Sequence, residues 1–272
     1  MTSSWRQMIT GDGSPTLLHP THGEPCHDTR GAWAEANQLH VFGCDLPRRL
    51  LRGERVRLLE VGAAPGWNIA ATIAYASGLP GELEVTAVER SAEALEAGAV
   101  LSADGSWHSD APRGSVAALE RAHVGLALAA EAPGSGWVKL SARGTLRLYQ
   151  GEAEALLREL EASERFDAVF LDSFSPGVEP GAWEPDFLYE LGLRVAAGGR
   201  LTTYTISHPV RAALMASGLT VGWPGPRSGR RGGTWASRGG WVPPLAERLQ
   251  ARLERHRERL CSSGLGRRSR VN

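Results

Sequence analysis

The sequence predicts an α/β domain built on a doubly wound, mostly parallel β-sheet. Three observations carry that reading. From Val56 onward, short apolar runs alternate with stretches of helical period, the order that successive βαβ units require. The first apolar run leads at once into a glycine-bearing turn, GAAPG at 62–66. Acidic residues then stand at the ends of later runs, at Glu89 and Asp172, where an open α/β sheet collects its ligand.

Residues 1–55 are polar and turn-rich, with a helical stretch at 31–39, and are expected to form an extension on the substrate side. VRLLEV (56–61) is a short, mostly apolar run, suited to a strand buried on both faces. WNIAATIAYASG (67–78) reads as a helix stopped by Gly78. EVTAVE (84–89) is the second strand, and Ser91 caps the helix SAEALEAGAVL (91–101). Residues 102–144 are less regular, around an apolar helical stretch at 117–130. TLRLYQ (145–150) and DAVFLD (167–172) are strands separated by the helix GEAEALLRELEA (151–162). PDFLYELGLRVAAGG (185–199) reads as a helix with a glycine stop, followed by a strand at 200–206 and the helix HPVRAALMASG (208–218). LTVGW (219–223) and GTWAS (233–237) close a domain spanning 56–240. A basic helix at 243–260 places Leu245, Leu249 and Leu253 on one stripe within a C-terminal segment 241–272, and GRRSRVN (266–272) reads as a disordered tail.

A chain of 272 residues with 42% hydrophobic and 22% charged residues fits one large globular domain or one with a small appendage. No run reaches the roughly 18 apolar residues of a membrane span, and the opening residues lack the apolar core of a secretory signal. No membrane partner and a cytoplasmic location are therefore expected. Cys26, Cys44 and Cys261 are scattered without C-x-x-C pairing, so reduced thiols and no zinc are expected. The eight histidines lack ligand spacing, so no metal is expected. His19, His22 and His27 sit in a Gly/Pro-rich loop that is placed to cover a site.

The formal net charge of zero hides a segregation of sign. Residues 201–272 carry thirteen arginines against Glu247, Glu254 and Glu258, a net of +10. Such a region suits a polyanion. Arginine standing in for lysine, since Lys139 is the only lysine, accounts for the residue choice but not for the segregation.

At the strand ends, Gly62 permits a tight turn and Gly66 a close approach of backbone to ligand. Ala64 breaks the dinucleotide fingerprint, so a pyrophosphate is not the expected occupant. Glu89, 23 residues after Gly66, is placed to accept from ribose hydroxyls; the alternative is a solvated carboxylate. Glu152 either accepts from an adenine amino group or is an acidic residue favoured by the helix dipole. Asp172 follows the apolar run AVFL, so its partly desolvated carboxylate can orient an attacking amine; the alternative is a cap for the next turn. Phe174 and Pro176 would wall a flat base.

DGSPTL (12–17), EVGAAPGWN (60–68), GTLRLYQGEAEALL (144–157), FDAVFLDSFSPGVEPGAW (166–183) and GGRLTTYTISHPVRAALMASGLTV (198–221), in that order, resemble the methyltransferase domain of the bifunctional tRNA 5-methylaminomethyl-2-thiouridine biosynthesis proteins and its stand-alone relatives. The resemblance implies a Rossmann-like class I S-adenosylmethionine-dependent methyltransferase, with a seven-stranded sheet whose last strand is antiparallel. It implies methyl transfer to the amine of 5-aminomethyl-2-thiouridine at the tRNA wobble position, with the anticodon arm as partner. Glu60, Gly62, Gly66 and Asn68 fall at cofactor positions, the last three along the methionine moiety. Glu89 falls at the ribose, Glu152 at the adenine, and Asp172 beside the reacting amine, where it is the catalytic candidate. Phe174, Pro176, Arg230 and Arg231 fall on the substrate side. The chain departs from the family's G-F-G-T-G-x-N loop at Ala64 and Pro65, and its 225–237 segment lacks the family's acidic residue. Two other readings stay open: a small-molecule amine methyl or aminopropyl transferase of the same fold, and an inactive RNA-binding module. A tRNA-dependent product excludes the former, and S-adenosylmethionine binding excludes the latter.

Overall fold

The computed structural model describes residues 4–103, 105–132, 134, 136–225 and 232–266. The N-terminal segment opens with an antiparallel hairpin, β1 (Arg6–Ile9) and β2 (Pro15–Leu18). It continues with α1 (Ala32–Glu35), a π-helical stretch over Ala36–Val41, and α2 (Leu46–Leu51). The alternation then runs β3 (Arg55–Val61), α3 (Trp67–Ala76), β4 (Glu82–Glu89), α4 (Ala92–Ala103) and α5 (Ser115–Glu131). Next come β5 (Val138–Ser141), β6 (Gly144–Gln150), α6 (Ala153–Glu159), β7 (Phe166–Leu171) and α7 (Pro185–Leu193). The chain ends with β8 (Val195–Thr203), α8 (His208–Ala216), β9 (Thr220–Gly222), β10 (Thr234–Ser237) and α9 (Glu247–Ser262).

Eight of these strands form one sheet in the order β5-β6-β4-β3-β7-β8-β10-β9. β6, β4, β3, β7 and β8 are parallel neighbours, whereas β10 is antiparallel to both β8 and β9. The predicted antiparallel last strand is thus wedged between its two predecessors. The eighth strand, β5, lies antiparallel on the β6 edge and extends the predicted seven. Its four residues alternate irregularly between exposed and buried, so only pairing with β6 defines it, and no periodicity in the sequence announces it. The β1–β2 hairpin was likewise hidden in a turn-rich segment. One boundary is corrected: the helix expected over 185–199 ends at Leu193, and 195–199 open β8 instead. Val195 is fully buried and Gly198 donates its N–H to the Arg238 carbonyl at 2.7 Å, so these glycines serve strand pairing.

Successive side chains of the central strands feed two cores, which is why their sequences read as mostly apolar runs. Val56 and Leu58 of β3 join α3 and α5 on one face, together with Ala32, Val41, Leu46 and Leu50 of the N-terminal segment. Leu59 and Val61 face the opposite layer of α6, α7, α8 and α9. Leu253 of α9 is completely buried there. The described part of the N-terminal segment and α9 are therefore packed into the domain. Among the described residues, no helix is long and apolar enough to cross a membrane.

Candidate active site

The tips of β3, β4, β6 and β7 are laced together by backbone hydrogen bonds. Gly62 N donates to the Val88 carbonyl at 3.0 Å, Asp172 N to Val61 at 2.9 Å, and Gly151 N to Glu89 at 2.9 Å. Gly62 has φ +89°, and a Cβ there would stand 2.7 Å from the Asp172 carbonyl oxygen. Both the positive φ and the crowding exclude a side chain. Gly66, also at positive φ, opens α3, but the close approach expected of it is toward His123, whose ring a Cβ would meet at 3.2 Å. His123 Nε2–H donates to the Pro65 carbonyl at 2.7 Å, its Nδ1 pairs with Ser102 at 2.8 Å, and burial lowers its pKa. A neutral imidazole thus braces the loop that carries Ala64 and a cis Ala64–Pro65 peptide.

Above this turn lies a cavity of about 800 Å³ lined by Gly62, Ala64, Glu89, Gly151, Asp172 and Glu179, among others. The Glu89 carboxylate is fixed by the N–H groups of Ala64 at 3.0 Å and Ser91 at 2.9 Å. Four lone-pair directions leave it capacity for further donors. Burial raises its pKa, and those backbone donors partly offset the rise. Glu179 is also pushed up, to about 7, by burial and by the charge of Glu89. Trp5 and His19 from the N-terminal segment meet Phe174 at ring distances of 6.1 and 5.1 Å over the cavity mouth. Glu24 fastens this cover by accepting from Ser175 N at 2.7 Å and Ser175 Oγ at 2.5 Å.

A second cavity of about 500 Å³ shares Cys26, Asp172, Ser173 and Phe174 with the first, and adds His27, Glu35 and Tyr204. Asp172 therefore stands at the junction of two chambers. Its Oδ2 accepts from Asn68 Nδ2 at 2.8 Å, with His40 Nε2 at 3.6 Å and His27 Nε2 at 4.0 Å. Burial alone would raise its pKa, but the two imidazoles and the Asn68 amide outweigh it and hold the carboxyl below the usual aspartate range.

The structure brings Gly62, Glu89, Asp172 and Phe174 around the first cavity. Asn68 contacts Asp172 from behind, and Glu60 is sealed beneath, 1% exposed. Glu152 points to solvent, its side chain 59% exposed and 3.6 Å from Arg90, while its neighbours Gly151 and Ala153 line the wall. Pro176 is exposed and lines neither cavity, because the chain turns outward after Phe174. Arg230 and Arg231, like tail residues 267–272, lie outside the described residues. The sequence placed His27 in a loop expected to cover a site, and did not single out His40, Tyr204 or Glu179. His40 and Tyr204 come from separate elements with no shared spacing; Glu179 had a signal, as the acid seven residues beyond Asp172 in the same loop.

Glu60 supplies a stability test. Burial first, then the charge of Asp172, raise its pKa well above the carboxylate range, and the Asn68 amide offsets that rise only in part. A raised folded-state pKa contributes stability that is complete below the unfolded value and is lost as pH rises through the folded one. Glu89 and Glu179 act in the same direction, Asp172 in the opposite one. Glu60→Gln is expected to raise the melting temperature at pH 8 by about 2–4 °C, the shift for about 1 kcal/mol in a chain of this size. At pH 4 the difference should vanish. Equal melting temperatures at pH 8 would mean that Glu60 pays no burial penalty.

Residues 127–239 match a family profile described as S-adenosyl-L-methionine-dependent methyltransferase. Over 218 residues the chain is 34% identical to the tRNA 5-methylaminomethyl-2-thiouridine biosynthesis bifunctional protein MnmC of Aromatoleum aromaticum, covering 79% of this chain and 32% of that protein. The namesake from Ralstonia nicotianae is 31% identical over 216 residues, covering 77% of this chain and 31% of that protein. The chain thus spans about a third of the length of the curated relatives it matches. The crystal structure of MNMC2 from Aquifex aeolicus superposes with a TM-score of 0.74 at 27% identity, covering 93% of this chain and 76% of that one.

Proposed function

From the premise that this chain is an MnmC-like S-adenosylmethionine-dependent methyltransferase domain, we propose that it methylates the aminomethyl nitrogen of a tRNA wobble uridine, 5-aminomethyl-2-thiouridine. The observation that carries the reading is the placement of Asp172 between two chambers, one suited to the donor and one to the amine. The first chamber's residues fit a sulfonium nucleoside. Carboxylates of Glu89, Glu179 and Asp172 face a ligand with cationic groups, and Glu89 retains acceptor capacity for ribose hydroxyls. Val88, Ala94, Ala97 and Val178 offer apolar surface for a flat base. When bound, S-adenosylmethionine supplies an activated methyl group.

The protein's share of the work is to position, to desolvate and to move a proton. Among the described residues around the second chamber, Glu24, Asp28, Glu35 and Asp172 outnumber Arg30 and attract an ammonium group. Asp172 Oδ2, held by Asn68, accepts from the amine and fixes the direction of its lone pair. Glu152, whose exposed side chain stands 3.6 Å from Arg90, is assigned to the adenine, and Arg230 and Arg231 to the tRNA side, as part of this proposal. The deciding experiment incubates the protein with S-adenosylmethionine and tRNA carrying 5-aminomethyl-2-thiouridine, then digests the tRNA for nucleoside mass spectrometry. A gain of one methyl on that nucleoside supports the reading; methylation of a free amine without tRNA would replace it.

Glu179 makes donor binding pH-dependent. Since its carboxyl titrates at about 7, a cationic ligand binds best above that pH. Calorimetric affinity for S-adenosylmethionine is expected to rise about 3- to 10-fold between pH 6 and 8, the scale of one pKa unit or less. Glu179→Gln should flatten that slope. A slope retained in the variant would assign the proton to another group.

A further inference from the structure

We propose that His27 is the proton acceptor of this reaction, taking a proton from the substrate ammonium, while Asp172 orients the nitrogen. The inference rests on the amine methylation proposed above. A primary amine arrives mostly protonated near neutral pH, with an ordinary pKa of about 10, so its lone pair is blocked until one N–H bond gives up its proton. Asp172 is poorly suited to take it. The Asn68 amide N–H and the His40 imidazole already hold its Oδ2, and both favour the anion. His27 lines the amine chamber together with Asp172. Its side chain is 2% exposed, and its Nε2 stands 4.0 Å from Asp172 Oδ2. Thr16 Oγ1 holds the other nitrogen, Nδ1, at 3.2 Å. In the tautomer that donates Nδ1–H to Thr16, Nε2 carries the lone pair on the carboxylate side. A nitrogen gripped by Asp172 is thereby brought beside a base.

His40 has a different place. It is fully buried, pairs with Thr202 at 2.9 Å and lines neither chamber, so it positions Asp172 from behind. Other ionisable groups facing His27's chamber are Glu24, Cys26, Asp28, Arg30, Glu35 and Tyr204, with Glu60 beneath Asp172. In balance, the ammonium N–H bond breaks and its proton forms an N–H bond at His27 Nε2. The freed lone pair forms the N–CH3 bond while the donor's S–CH3 pair stays on sulfur. The product leaves as a secondary ammonium, and His27 returns its proton to water.

The test measures kcat/KM from pH 6 to 10 on tRNA bearing 5-aminomethyl-2-thiouridine, for wild type, His27→Gln and His40→Gln. Expected for His27→Gln is a loss of about 100-fold at pH 7 that shrinks as pH rises and closes near the amine's own pKa. For His40→Gln, a loss of similar size at every pH is expected. Free imidazole should restore part of the His27→Ala activity, and S-adenosylmethionine affinity should be unchanged in all variants. Without turnover, the 15N titration midpoint of the His27 ring should fall in Asp172→Asn. A pH-independent loss in His27→Gln, no loss, or an unmoved midpoint overturns the inference. A wild type that binds S-adenosylmethionine yet methylates no tRNA overturns the substrate reading, and this inference with it.

Discussion

Asp172→Asn is expected to reduce methyl transfer by about 10²- to 10³-fold or more, with S-adenosylmethionine affinity within a few-fold of wild type. The substitution keeps size and shape, and the new amide oxygen can still accept from Asn68 Nδ2, which now lies 2.8 Å from the carboxylate. The β7 tip should therefore hold its position through the Asp172 N to Val61 bond. What disappears is the negative charge at the junction of the chambers. Without it, the ammonium loses the acceptor at the junction that orients it, and an amide N–H competes with the amine's own donors. Single-turnover kinetics with prebound donor separates the two steps. Wild-type rates in the variant would remove Asp172 from the chemistry.

The second large effect is expected on α9. Leu253 is buried and Leu245 nearly so, with Leu249 and Leu260 packed against the same cluster. Deleting the helix would open the core, since losing one such leucine side chain costs about 2–5 kcal/mol. An adjoining face is another matter. Arg248, Arg252, Arg255 and Arg259 are all exposed at spacings that align them along one helical stripe. Arg252 acts on His208 at the start of α8: burial lowers the pKa of that imidazole, and Arg252 adds to the lowering. Replacing the four arginines with glutamine should leave the melting temperature nearly unchanged. It should reduce the slope of log affinity for tRNA against log salt by about 3, given roughly 0.7–0.9 per phosphate contact. An unaltered slope would make the stripe a solvated face with no nucleic-acid role.

The legible part of the fold was the part written in period and punctuation. β3 and β7 could be read because a strand buried on both faces is apolar at most positions, without a polar alternation. Asp172 and Glu89 could be read because each ends such a run. β5 and the β1–β2 hairpin could not, since short strands with partly exposed residues carry no period of their own. Gly66 shows a subtler limit. Its left-handed backbone was readable, but whether the empty space beside it belonged to a ligand or to His123 depended on where α5 packs. Pro176 and Glu152 show the same limit, because neighbouring residues in one loop can face opposite ways.

By itself the sequence determined a doubly wound sheet, the loops at its carboxyl edge, and the acidic groups those loops carry. These follow from local rules of periodicity and turn geometry that act within a few residues. Only the tertiary structure decided that His27 and His40, 145 and 132 positions before Asp172, flank its carboxylate, and that two chambers meet there. Such encounters are set by how distant elements pack over one sheet, and burial then sets the charge of whatever they bring together.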